Sequence, residues 1–341
     1  MVSRKEGDLV GKLISNELMK MMLRRKLVLI FFIELIVVSA FAYGLNNQYQ
    51  KSITAYTKSN GTTYDWTPSV KQEINTLQNQ LKYGSNKAED KKVTSIQINQ
   101  YKYYLQYKMS PLESTGMKFA GIILSQSVML LLPLLIILFS GDAVSSEFSA
   151  RTIKILLTRA IPRWKILLSK YIATILVSAM VTGEMGILSV IIGKITFHTW
   201  GFMEPVAVTF HIIGKQSKIS NVVELDQWQY LLVVCALCVF VAVVIASISF
   251  TVSIFVKNTA ASIGIMMASL IGGSILQIFI NDWPRAKYFF AVNLGLPQYL
   301  SAQYENTAGM NLEFSMVVLL IWAIVSLVIG FYVFIKQDVL V

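Results

Sequence analysis

Two carboxylates lie inside runs of residues that otherwise carry no charge. Glu34 interrupts FFIELIVV, and Glu184 interrupts VTGEMGIL. An ionised carboxylate in hydrocarbon is costly, so each must face a partner, line a wet cavity or carry a proton. Both are candidates for a substrate or coupling-ion role, and more readily for a structural hydrogen bond between helices or a position close to water. Other chemistry is thinly supplied. Cys235 and Cys238 form a C-x-x-C within VVCALCVFVAVVI, where buried thiols are expected in place of a redox or metal pair. The histidines, His198 and His211, both fall between the third and fourth apolar runs, so no His-based metal or acid/base site is expected. Gly7, Gly11 and Lys12 approach a phosphate-binding loop, but the spacing is wrong and Leu13 stands where Ser or Thr should hold magnesium. The reading is therefore no catalytic residue, no metal site and no cofactor bound by this chain; ATP, if used, belongs to another chain.

The elements that must position these residues follow from composition. Of 341 residues, 55% are hydrophobic and 14% charged, against about 25% charged in soluble domains. The apolar residues gather in blocks of about twenty, the length that crosses a bilayer core. Six spans are expected, at 27–45, 119–140, 166–193, 229–256, 259–281 and 314–335. The fold class is an all-α polytopic membrane protein with an N-terminal interfacial helix and an external helical hairpin. Residues 1–26 carry seven Lys and Arg and the 141–165 loop carries five, while the opposite short loops, 194–228 and 282–313, carry three and two. The positive-inside rule then places both termini, and the 336–341 tail, in the cytoplasm. The net charge of +11 is read as membrane orientation and lipid contact, with no nucleic-acid partner. A basic start, an apolar stretch and Ala40, Phe41, Ala42 resemble a cleaved signal peptide. The long basic region and Glu34 favour a retained anchor.

Before the first span, Val10, Leu13, Ile14, Leu18, Met21 and Met22 share one helical face, as in a helix lying in the membrane interface. Segment 46–118 is expected outside. Val70, Ile74, Leu77 and Leu81 form one stripe, and Ile98, Tyr101, Leu105 and Met109 a weaker one, with GSNKAEDKK as a polar turn between them and Tyr103, Tyr104 and Tyr107 around the remaining surface.

The 141–165 loop is the most informative stretch. Ile153, Leu156, Leu157 and Ala160 stand at i, i+3, i+4, i+7, and Pro162 ends the pattern, so a short amphipathic helix is expected across the mouth of the bundle. Asp142 and Glu147 precede it; Arg151, Lys154, Arg159 and Arg163 line and follow it. With Thr152, Leu156, Leu157, Pro162, Arg163 and Lys170 in order after Asp142 and Glu147, the stretch resembles the permease subunits of bacterial ABC-2-type ATP-binding-cassette exporters. Their pattern runs from an acidic residue closing the second span through a Glu, a Gly-Thr pair, a leucine-rich helix and Pro-Arg to a Lys opening the third. The departure is Arg151, where the family often has Gly. The likeness covers most of the chain, including the interfacial helix, the large insert, the tight turn at Lys257 and Asn258, and the outer segment LGLPQYL.

That resemblance implies a permease in the bacterial plasma membrane, assembled from two permease chains, identical or homologous, with two separate ABC ATPase subunits that bind ATP and Mg. It implies that Glu147, Thr152, Lys154, Leu156, Leu157 and Arg163 couple the loop to the ATPase. The tyrosine- and lysine-rich hairpin tilts the cargo toward peptide-like or amphipathic molecules. Two other classes stay open: a stand-alone secondary transporter or ion channel using Glu34 and Glu184, and a membrane sensor or scaffold. The first predicts internal repeats, and no convincing one is seen.

Overall fold

A computed structural model describes residues 2–23, 25–60, 65–83, 88–108, 110, 113–152, 161–208, 215–216, 223–280, 283–300 and 310–336. The chain runs α1 (Val2–Met22), α2 (Arg25–Asn60), α3 (Thr67–Tyr83), α4 (Ala88–Gln106), α5 (Gly116–Ser127), α6 (Leu131–Ser140), α7 (Ser145–Ser149) and α8 (Arg163–Phe197). Strands β1 (Pro205–Val208), β2 (Lys215–Gln216) and β3 (Val223–Asp226) follow, then α9 (Gln227–Phe255), α10 (Thr259–Ile278), three short 3-10 helices between Pro284 and Leu300, and α11 (Leu312–Lys336). Helices α2, α8, α9, α10 and α11 are long and apolar enough to cross a membrane, and α5 with α6 makes a sixth crossing if the bent pair is one span. Large apolar side chains face outward along them: Phe32, Ile36, Ile187, Ile195, Ile271, Ile278 and Val328 are all exposed. The protein is a polytopic, mainly helical membrane protein. Its α1 and α7 lie at one end of the bundle, and the α3–α4 hairpin and the sheet at the other.

Three expectations change. The second span is not one helix: α5 and α6 meet at 63°. Pro133 has no N–H to give Met129 and its ring crowds that carbonyl, so the ladder breaks just before it and Pro133 sits in the first turn of α6, where the lost donor costs little. The first span does not end near residue 45 but continues as helix to Asn60. No Pro interrupts this stretch, and Ser52, Thr54 and Thr57 donate their hydroxyls back to the carbonyls of Gln48, Gln50 and Ile53. Finally, the loop read as 194–228 holds a small antiparallel sheet in the order β1-β3-β2, with Val206 opposite Leu225. The fold is therefore not purely α. Val208 and Leu225 are buried against Tyr230, docking the sheet on the start of α9.

The hairpin keeps its expected core of Val70, Ile74, Leu77 and Ile98, with Leu81, Tyr101 and Leu105 packed beside it. Helix α4 starts at Ala88, so AEDKK is helical instead of part of the turn. Met109 lies outside the described residues. Tyr103, expected on the hairpin surface, is fully buried. Residues 284–300, expected as an outer loop, pack inward instead, and Phe290, Val292, Leu294 and Leu296 are all buried. These alternate apolar side chains fill the space between α10 and α11.

Small and hydroxyl-bearing residues set the helix spacing. A Cβ on Gly193 of α8 would stand 3.0 Å from the Gly116 Cα of α5, so these helices touch backbone to backbone. Along the buried face of α8, Thr174, Ser178, Thr182 and Ser189 each donate to the carbonyl four residues earlier, at 2.7 to 2.9 Å. Close packing there leaves no polar group wanting. Both cysteines are free thiols, with Cys238 buried.

Candidate functional site

Helix α1 is amphipathic, but its inward face carries a carboxylate. Glu17 falls one turn from both Leu13 and Met21 and is buried with Met21 against the bundle. It faces Lys170, in the second turn of α8 and 4% exposed. Lys170 Nζ donates to Glu17 Oε2 at 2.9 Å and to Glu147 Oε1 at 2.6 Å. Lys20, on the same face of α1 at i+3, donates to the other Glu17 oxygen at 3.0 Å. Beside this group Lys26 of α2 pairs with Asp142, just past α6, and donates to the Leu138 carbonyl at 3.2 Å. Three carboxylates thus meet three ammonium groups from five elements. Burial pushes the Glu17 carboxyl up, but the Lys170 charge, its hydrogen bond and Lys20 together outweigh that and hold it below its ordinary value.

The loop between α6 and α8 is fastened on its other side as well. The first N–H groups of a helix have no partner within it; here Val144 N–H and Ser145 N–H donate to Ser253 Oγ of α9, at 2.9 and 2.8 Å. Ser149 donates to the Lys257 carbonyl in the α9–α10 turn at 3.2 Å, and the Lys257 ammonium stands 5.7 Å over the Phe148 ring. The α7 turn therefore touches α1 through Lys170, α8 directly, α9 through Ser253 and the start of α10.

Helix α7 ends in a Schellman turn. Thr152 N–H donates to the Glu147 carbonyl at 3.0 Å, Arg151 N–H to Phe148 at 3.1 Å, and Arg151 takes φ +58°. Gly is favoured at a left-handed position, and here Arg151 takes that conformation despite its side chain. Arg151→Gly should relieve about 1 kcal/mol of backbone strain and raise the midpoint of thermal unfolding in detergent; a lower midpoint would mean that the Arg151 side chain holds a contact of its own.

Of the residues expected to couple, Glu147 joins the charge network. Thr152 closes the Schellman turn and also donates its hydroxyl to Glu147 O at 3.4 Å. Arg163 opens α8 directly after Pro162. Lys154, Leu156 and Leu157, and the amphipathic helix expected there, lie outside the described residues. Sequence reasoning missed Glu17 and Lys26. The available signal was a carboxylate in the middle of the apolar stripe of α1. Among the described residues no group of three His, Cys, Asp or Glu could hold a metal.

Glu34 stands apart from this network. It is fully buried in α2, and neither carboxyl oxygen has a hydrogen-bond partner. Glu184, half-buried on the neighbouring α8, bears on it electrostatically. No hydrogen bond joins the two. A lone buried carboxyl costs about 1–3 kcal/mol, so Glu34→Met, close in volume and apolar, should raise thermal stability. A fall in the unfolding midpoint would show that Glu34 has a partner in the assembled protein.

With this geometry in place, comparison with known proteins adds a family. A family described as a protein of unknown function, DUF2705, matches residues 82–340. The chain belongs to the DUF2705 family. The match takes in the hairpin's second helix, the bent pair, the α6–α8 loop and the remaining spans. The chain is also 30% identical over 218 residues to the uncharacterized protein YhcI of Bacillus subtilis (strain 168), covering 63% of this chain and 67% of the relative. A second relative, the uncharacterized membrane protein YdbK of the same organism, is 29% identical over 220 residues, covering 62% of this chain and 80% of the relative. A relative described as a membrane protein agrees with the apolar helices of this DUF2705 chain.

Proposed function

We propose that this DUF2705 protein is the membrane-spanning permease of an ABC-2-type exporter in the bacterial plasma membrane, with both termini in the cytoplasm. On this reading two copies of the chain, or one copy and a homologue, form the path, and two separate ATPase subunits bind ATP and Mg beneath it. The observation that carries the proposal is the fastening of the α6–α8 loop. One short turn is held by Lys170, Ser253 and Lys257 to three helices and a tight turn, so force applied to the loop reaches most of the bundle. A loop needed only to connect two spans has no use for a buried ion pair, whose desolvation is costly. ATP-driven closure of the ATPase pair would displace residues 153–160, and the rigid α7 turn would pass the shift to α1 and α8. Such coupling requires two packed arrangements that the partner stabilises differently. Cargo of peptide-like or amphipathic character fits the tyrosines of the hairpin.

The test is contact at the loop. A photo-reactive residue placed at Thr152 or Arg163, in membranes that also contain the co-encoded ABC ATPase, should cross-link to it, while one at Ser52 on the far end of α2 should not. Equal labelling at all three positions, or none, would contradict the proposal.

A stand-alone ion-coupled transporter is favoured by one observation, the unpartnered Glu34 carboxyl. It would require Glu34→Met to abolish transport, whereas the permease reading expects ATP-driven activity to survive that change.

A further inference from the structure

At the hairpin end, a cavity of about 420 Å³ opens between α3, α4, α5, the sheet and α9. Its size lies in the range of about 300–1,000 Å³ typical of small-molecule sites. Its charged lining is Glu73 from α3, Glu204 from the segment before β1, and Lys118 from α5. Two carboxylates against one ammonium is the reverse of the balance in a chain of net charge +11. The rest is amphipathic: Tyr101 and Tyr104 of α4 line one side and Tyr230 of α9 the other, with glutamine amides and aliphatic side chains between them.

We propose that this cavity binds an organic cation, a primary ammonium or guanidinium on an apolar or aromatic body, with Glu73 and Glu204 meeting the charge and the three tyrosines meeting the body. Tyrosine faces attract cations within about 6 Å of the ring. Glu204 is partly buried, where a carboxylate gives a charged ligand more than it would in open water, while Glu73 is exposed. Burial holds the Glu204 carboxyl above its ordinary value even though the Lys118 ammonium pulls it down. Burial, and next the Glu73 carboxylate, likewise push the Tyr101 phenol up, which keeps it neutral and a hydrogen-bond donor. The cavity walls come from the hairpin, the bent span and α9 together, so an occupant would link the hairpin to the bundle. None of this depends on an ATPase partner.

Two sources share this chemistry, a basic side chain on a short peptide and a free amine. The test is isothermal titration of the full chain in nanodiscs with N-acetyl-Phe-Lys-amide, its neutral isostere N-acetyl-Phe-norleucine-amide, and phenethylamine. Binding of the lysyl peptide at least about tenfold tighter than the neutral one, a preference of about 1.4 kcal/mol, supports the proposal. So does its loss in Glu204→Gln and Glu73→Gln, and its weakening as salt is raised. Comparable binding of phenethylamine would assign a free amine as the source, and binding of the peptide alone a peptide. The proposal is overturned if both peptides bind equally, if neither cation binds, or if both glutamine variants, folded to the same unfolding midpoint as wild type, bind the lysyl peptide unchanged.

Discussion

Lys170→Met should sharply lower the yield and thermal stability of the purified protein. It removes the ammonium shared by Glu17 and Glu147, which leaves the partly buried Glu147 without a counter-charge and the buried Glu17 with Lys20 alone. Breaking a buried pair from one side costs about 3–5 kcal/mol, a large part of the 5–15 kcal/mol that holds an ordinary domain together. The triple variant Lys170→Met, Glu17→Gln, Glu147→Gln should recover most of the loss, because no charge is then stranded. The comparison is read as unfolding midpoints in one detergent. A Lys170→Met protein as stable as wild type would mean that the network is solvated and mechanically slack. Acid acts on the same contact. The Glu17 carboxyl is held below its ordinary value, so its stabilisation is complete above the unfolded-state value of about 4.3 and is lost as pH falls through the lower folded-state value. The wild type should therefore lose stability below about pH 4.3, and Lys170→Met should show less of that acid limb.

The second large effect belongs to the loop itself. Leu157→Asp puts a charge on the apolar face expected to dock on the ATPase, while every span stays intact. Desolvating an unpaired carboxylate at an interface costs several kcal/mol, enough to weaken binding by a hundredfold or more. ATP hydrolysis attributable to the complex should fall to that of the free ATPase. Stability of the Leu157→Asp chain alone should stay at the wild-type value. An unchanged hydrolysis rate would remove Leu157 from the contact.

The membrane-crossing helices were legible because hydrophobic blocks of span length have few other uses. The bend in the second span was legible in principle through Pro133, but a proline near the middle of an apolar run also fits an unbroken, kinked helix. Helix α2 outran its apolar block because helical hydrogen bonding does not require apolar side chains, and polarity alone marked the boundary at residue 45. The sheet escaped notice since strands of two to four residues leave hardly any periodicity to read. The same reasoning explains the site. Glu147 and Lys170 stood in a recognisable order along one loop. Their partner Glu17 lies 153 residues before Lys170, and only tertiary packing brings the two together.

The most direct measurement is co-purification of the wild-type chain, solubilised in mild detergent, with an ABC ATPase encoded beside it, the partner that the proposal requires. Recovery of both chains in one complex, in equal numbers of permease and ATPase subunits, is the predicted result. A chain that elutes alone under every detergent and nucleotide condition, with the ATPase folded and active in the same lysate, would contradict it.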